Sequence, residues 1–238
     1  MATISDNLQQ VRQRLAAACQ RHGRHPAEVS LLAVSKTFGV EAVAEAHAAG
    51  QRAFGENYVQ EGVEKIEAAR RLGLRGLQWH CIGPLQSNKT RLVAEHFDWV
   101  QSVDRLKIAQ RLSEQRPDAL EPLQVCIQVN IDGGPNKSGV APDEVLALAL
   151  AVAALPRLRL RGLMCIPEPA ADFDAARRVF LQAQALFQRV GAALGDRAAA
   201  WDTLSMGMSE DLEAAVAAGS TMVRVGSAIF GRRAYPRA

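Results

Sequence analysis

The sequence predicts a single (β/α)8 TIM barrel with an extra N-terminal helix. Short Val/Leu-rich runs alternate with Ala-rich segments of helical periodicity, roughly the eight times that such a barrel needs. The length of 238 residues is ordinary for one α/β barrel. Polar and glycine-bearing stretches recur just after the apolar runs, where parallel strands present ligand-binding groups. A doubly wound open sheet is the alternative, and strand number separates the two.

The elements follow in order. Ile4, Leu8, Val11, Leu15 and Cys19 recur at helical spacing in a Gln- and Arg-rich segment, an amphipathic helix ahead of the first strand. Val29 to Val34 is a buried strand ending at Ser35-Lys36-Thr37. Val40 to Ala49 is a helix stopped by Gly50. Gln51 to Gly55 is a short strand closing on Glu56-Asn57-Tyr58, and Val59 to Leu72 is helical. Leu77 to Ile82 is a strand and Asn88 to His96 a helix. Phe97 to Val103 is a strand, with Asp104 as N-cap for a helix from Arg105 to Gln115. Leu123 to Ile131 is the clearest strand, ended by Asp132-Gly133-Gly134-Pro135, and Pro142 suits the first turn of a helix reaching Leu155. Leu158 to Met164 is a strand, Asp172 to Leu194 a long helix, and Ala200 to Ser205 the weakest strand signal. Glu210 to Ala218 is a helix, Thr221 to Val225 the last strand, and Gly226 to Gly231 the final turn. No repeat or linker marks a second domain, so residues 1–238 are expected to form one.

Composition excludes several classes. Hydrophobic content of 48% and charged content of 22% belong to a globular chain. A net charge of +3 gives no case for a nucleic-acid polyanion as the main partner. No segment is apolar enough to span a membrane, and the first residues lack a secretory signal pattern. Cys19, Cys81, Cys126 and Cys165 form no C-x-x-C pair and read as core hydrophobes in a reducing cytoplasm. The histidines show no metal-binding spacing.

The residues after the strands carry the chemistry. Lys36 stands where an apolar strand stops, at the end where barrels place their reactive groups. A lysine desolvated there can attack a carbonyl, although a solvated strand-end lysine is the plain alternative. The loops after the last two strands, Ser205 to Ser209 and Arg224 to Ser227, pair serine with glycine just before a helix. That arrangement suits a phosphate. Simple N-capping by Ser209 and Ser227 is the competing reading. Strand eight of a closed barrel neighbours strand one, so a lysine and a phosphate corner lie side by side, fitting a small phosphorylated aldehyde such as pyridoxal 5'-phosphate. Asn57, His80 and Met206 fall in the same group of loops, His80 with a core position as its alternative. Gly133 to Ser138 has a Lys-Ser end like a P-loop, but Asn136 replaces the required glycine, which rejects nucleotide binding there.

These blocks also resemble a known family. Ala33-Val34-Ser35-Lys36-Thr37, Phe54 to Glu61, His80 to Lys89, Lys137-Ser138-Gly139, Arg161 to Met164, Leu204 to Asp211 and Val223 to Gly231 are similar, in the same order, to those of the pyridoxal-phosphate homeostasis proteins, the YggS/PROSC family. The resemblance implies a barrel like the N-terminal domain of alanine racemase, holding pyridoxal 5'-phosphate as a Schiff base. Carried over by position, the covalent lysine is Lys36. The phosphate contacts are Ser205, Ser209, Gly226 and Ser227, and the partner of the pyridine nitrogen is Arg224. The chain departs from the family in the Asp132 to Asn136 turn, which bears on any second imine at Lys137.

Arginine cannot accept a proton, so a pyridine nitrogen facing Arg224 stays neutral and the cofactor is a weak electron sink. Alanine racemases compensate with bases on both faces of the substrate, one from a second domain whose counterpart is not expected here, with seven residues following Gly231. The resemblance therefore implies a cytoplasmic, monomeric carrier that buffers pyridoxal 5'-phosphate, or delivers it to apo-enzymes that depend on it, without substrate turnover. An amino-acid racemase using the same imine and a cofactor-free Schiff-base aldolase are the rival readings.

Overall fold

Successive side chains of a strand point to opposite faces, so a strand buried on both sides feeds two separate cores. The computed structural model describes residues 3–134 and 138–231. Its elements are α1 (Ile4–Arg21), β1 (Ser30–Val34), α2 (Val40–Ala48), β2 (Ala53–Glu56), α3 (Val59–Arg71), β3 (Gln78–Cys81), α4 (Thr90–His96), β4 (Trp99–Val103), α5 (Leu106–Gln115), β5 (Leu123–Gln128), α6 (Val145–Ala153), β6 (Leu158–Met164), α7 (Phe173–Leu194), β7 (Thr203–Ser205), α8 (Leu212–Ala217), β8 (Met222–Val225) and α9 (Ser227–Phe230). Each strand pairs parallel with the next, and β8 pairs parallel with β1. The sheet is a closed eight-stranded barrel, which decides against the open doubly wound alternative.

The outward residues, such as Ala33, Phe54, Trp79, Val100, Ile127, Leu163, Leu204 and Val223, join the helices in one large core. The inward residues fill the barrel in two smaller groups. Leu32, Val34, Ile82 and Met222 form one, and Trp99, Cys126 and Met164 the other. Burial of these side chains supplies most of the driving force, at about 1.5–3 kcal/mol for each large one. Lys36 keeps the parity of Leu32 and Val34 and so follows the inward file to the mouth of the barrel. All four cysteines are buried and unpaired, as core residues.

Several sequence boundaries need correcting. The cap of α5 is Arg105, with no side-chain capping bond; Asp104 instead pairs with the Arg105 guanidinium at 2.6 Å. Pro142 lies in a turn ahead of α6, which starts only at Val145. Strand β5 stops at Gln128 rather than Ile131; the Val129 N–H still donates to the Met164 carbonyl at 2.9 Å, but Val129 then bridges to Val140, outside the sheet. Of the weak segment Ala200 to Ser205, only Thr203–Ser205 is strand. The cap of α8 is Asp211 and that of α9 is Gly226, so neither Ser209 nor Ser227 caps a helix. No helix among the described residues is long and apolar enough to cross a membrane. Lys137 lies outside the described residues.

Candidate functional site

A cavity of ≈ 560 Å³ opens at the C-terminal mouth of the barrel, a size ordinary for a small-molecule site. Its lining comes from Val34 at the end of β1 and Lys36 beyond it, Asn57 after β2, Ile82 after β3, Ile166, Pro167 and Pro169 to Phe173 after β6 with Ala176 on α7, Met208 to Asp211 after β7 with Glu213 and Ala214 on α8, and Arg224, Gly226 and Ser227 at β8. Lys36, Asn57, Ser209, Arg224, Gly226 and Ser227 are thus brought together. His80, Ser205 and Met206, expected as direct contacts, do not line it.

Lys36 is half-buried and sits between two backbone positions that are held from behind. Lys65, on α3, is 5% exposed and donates to the Ser35 carbonyl at 2.8 Å, Glu56 Oε1 at 2.7 Å and Glu61 Oε1 at 3.0 Å. Three acceptors take all three ammonium hydrogens, which gives Lys65 the role of a structural cation and not of a second amine for imine formation. Ser35 Oγ also donates to Glu56 Oε1 at 2.5 Å, and the Thr37 N–H donates to Glu61 Oε1 at 2.5 Å. The neighbours of Lys36 on both sides are therefore tied to one buried cluster. Thr37 has φ of 69°, a left-handed conformation rare for a β-branched residue. Burial raises the Glu56 carboxyl above its usual range, with Lys65 and Ser35 opposing the shift.

Arg224, 3% exposed, is held from the other side. Its guanidinium donates to Ser205 Oγ at 2.7 Å and to the Cys165 carbonyl at 2.9 Å, leaving donors over for the cavity. Ser205 Oγ donates in turn to Gln101 Oε1 at 2.6 Å, and Gln101 Nε2 lies 3.0 Å from His80 Nδ1. Arginine can only donate, so every bond along this file points away from it. His80 Nδ1 is then an acceptor and the ring carries its proton on Nε2. Its pKa is lowered to about 3 by burial and by the charge of Arg161, so the imidazole is neutral at ordinary pH. The ring stacks on Trp99 at 4.9 Å. His80 and Ser205 belong to the support of Arg224, and Met206 is fully buried beneath the mouth.

The remaining corner is made of hydroxyls. Ser227 Oγ stands 3.5 Å from Ser209 Oγ, and both line the cavity. The Asp211 carboxylate accepts from the Met208 N–H at 2.6 Å and fixes the turn before Ser209. A Cβ on Gly226 would come within 3.2 Å of the Val34 carbonyl, so a residue this small lets the β8 turn close onto β1. Asn57 lines the cavity, and its Oδ1 is buried without a hydrogen-bond partner. A buried orphan acceptor, two hydroxyls paired only loosely with each other, an arginine with spare donors and an amine suit a polar aromatic aldehyde bearing a phosphate.

Two functional groups escaped the sequence. Lys65 and Glu61 stand four residues apart on α3, and only Glu56 on the neighbouring strand turns them into a buried cluster. Gln101 was open to detection, because a polar side chain inside the buried run Trp99–Val103 demands partners.

Comparison with known proteins bears on the same barrel. The family model for the alanine racemase N-terminal domain matches residues 6–234. The pyridoxal phosphate homeostasis protein of Escherichia coli K12 is 57% identical over 237 residues, covering 100% of both chains. That of Pseudomonas aeruginosa is 57% identical over 235 residues, covering 99% of this chain and 98% of the other. The structure of PipY from Synechococcus elongatus, solved with PLP bound, superposes with a TM-score of 0.82 at 35% identity, covering 96% of this chain and 100% of that one. With full-length identity of this order on a matching barrel, the chain belongs to the pyridoxal phosphate homeostasis protein family.

Proposed function

We propose that this protein binds pyridoxal 5'-phosphate reversibly, as a Schiff base on Lys36, and buffers or delivers it without turning over a substrate. Lys36 Nζ adds to the aldehyde carbon and water leaves, a step that hydrolysis reverses. Ser209, Ser227 and Gly226 receive the phosphate, Asn57 contributes its unpartnered oxygen, and Arg224 faces the ring. Ser205, Gln101 and His80 hold Arg224, and Lys65 with Glu56 and Glu61 holds the backbone around Lys36. The observation that carries this reading is that an amine, a buried arginine and a pair of hydroxyls converge on one cavity. The names of the relatives and the PLP-bound state of PipY support it.

We further propose that residues 1–238 act as one barrel unit, a monomer in the cytoplasm, with apo-enzymes as recipients. The four unpaired cysteines are in keeping with a reducing compartment, and light scattering of the purified protein tests the monomer. The decisive experiment is the absorbance spectrum of wild type beside Lys36→Ala, each with pyridoxal 5'-phosphate. Wild type is expected to show the imine band, and after borohydride reduction the adduct is expected on the peptide carrying Lys36. An undiminished band in Lys36→Ala, or an adduct elsewhere, overturns the assignment.

A further inference from the structure

Helix α1 stands outside the βα repeat, and it packs against α8, which follows the turn bearing Ser209, and α9, which begins with Ser227. Arg14 on α1 donates to the Ser209 carbonyl at 2.6 Å. Its other two nitrogens grip both carboxylate oxygens of Glu213 in α8, Nη2 at 2.6 Å. Asn7, two turns earlier on the same helix, donates from Nδ2 to the Ile229 carbonyl at 3.0 Å, inside the short α9 that begins with Ser227. One rigid helix therefore anchors the backbone on either side of the 3.5 Å gap between the Ser209 and Ser227 hydroxyls. Neither hydroxyl is held by a helix cap, so the gap between them depends on where the two turns are fixed. Glu213 neutralises the Arg14 guanidinium, which leaves geometry rather than long-range attraction as its contribution.

We propose that Arg14, assisted by Asn7, is a positioning residue for the phosphate corner. Through it, α1 sets the spacing of the two hydroxyls and thereby the preference for a phosphorylated over an unphosphorylated aldehyde. This rests on the reading of the cavity as a pyridoxal 5'-phosphate site. Loss of a fixed spacing weakens only the contacts to phosphate, whereas Lys36 and Arg224 are held by other elements. A substitution at Arg14 is therefore selective between two ligands that differ only in the phosphate.

The test titrates full-length protein with pyridoxal 5'-phosphate and, separately, with pyridoxal, following the imine band. Arg14→Met is expected to weaken binding of the phosphorylated aldehyde about tenfold, the size of one charge-assisted hydrogen bond, with pyridoxal changed less than about twofold. Arg14→Lys keeps the charge but not the fork that reaches two partners, and is expected to lose nearly as much. Asn7→Ala, a milder change that keeps α1 intact, is expected to move the same ratio about threefold. An unchanged ratio, equal weakening of both aldehydes, or full restoration by lysine overturns the inference while leaving the functional reading in place. Wild type that takes up neither aldehyde overturns both.

Discussion

Behind Lys36 the barrel wall is charged, with Lys65 bonded to Glu56 and Glu61; behind Arg224 it is neutral, a file of Ser205, Gln101 and His80 with every bond in one direction. Both place a basic side chain at the cavity, but they fail differently when broken. A buried ion pair that loses one member strands a charge in a medium that cannot solvate it. A neutral file that loses a member strands dipoles, at smaller cost. The amine corner is therefore the more fragile part of the fold, and the arginine corner the more tolerant.

The largest effect is expected from Lys65→Met, which leaves Glu56 buried without its cation and should cost about 3–5 kcal/mol in denaturant unfolding. Adding Glu56→Gln to the same chain should recover a substantial part, and a loss below about 1 kcal/mol would erase the contrast between the corners. Next, Gln101→Leu strands both the Ser205 hydroxyl and His80 Nδ1 and is expected to cost about 1–3 kcal/mol, while the Lys36 imine still forms. A missing imine in that variant would show that the two corners are not separable.

The pH dependence sharpens the comparison. The folded pKa of His80 is lowered from 6.5 to about 3, so between those values the unfolded chain binds the extra proton. Its contribution is fully present above pH 6.5 and is lost as pH falls through the window toward about 3. The stability difference between wild type and His80→Phe should rise with pH there by at most about 1.4 kcal/mol per unit. Glu56, whose folded pKa is raised by burial, acts in the opposite sense upward from 4.5, which is why the difference and not the wild-type curve is the quantity to measure. The smallest effect is Ser209→Ala, expected to change stability by less than about 0.5 kcal/mol because the hydroxyl caps nothing. A loss of about 1 kcal/mol would return Ser209 to a capping role.

The order of strands and helices was legible because it is written locally, in periodic runs that stop at Gly50 or Gly219 and in a helix start at Asp172. The meeting of Lys36 with Arg224 was legible too, since closure of eight strands makes β1 and β8 neighbours. What stayed hidden depends on distance in sequence. Lys65 on a helix looks solvated until Glu56 and the Ser35 carbonyl arrive from two strands. Ser209 and Ser227 look like caps because they precede helices, yet Asp211 and Gly226 take those positions. Ser205 and His80, expected as direct contacts, do not line the cavity and belong to the support of Arg224. Parity places them on the inner face of the barrel without saying how deep.

Thr37, in its left-handed conformation with its N–H on Glu61, has one more consequence. A threonine held this way costs about 1–3 kcal/mol, and the cost is met when the chain folds rather than when an aldehyde arrives. The backbone around Lys36 is set beforehand, so on the proposed reading an incoming aldehyde would meet a receptor that needs little rearrangement to take it up or to let it go.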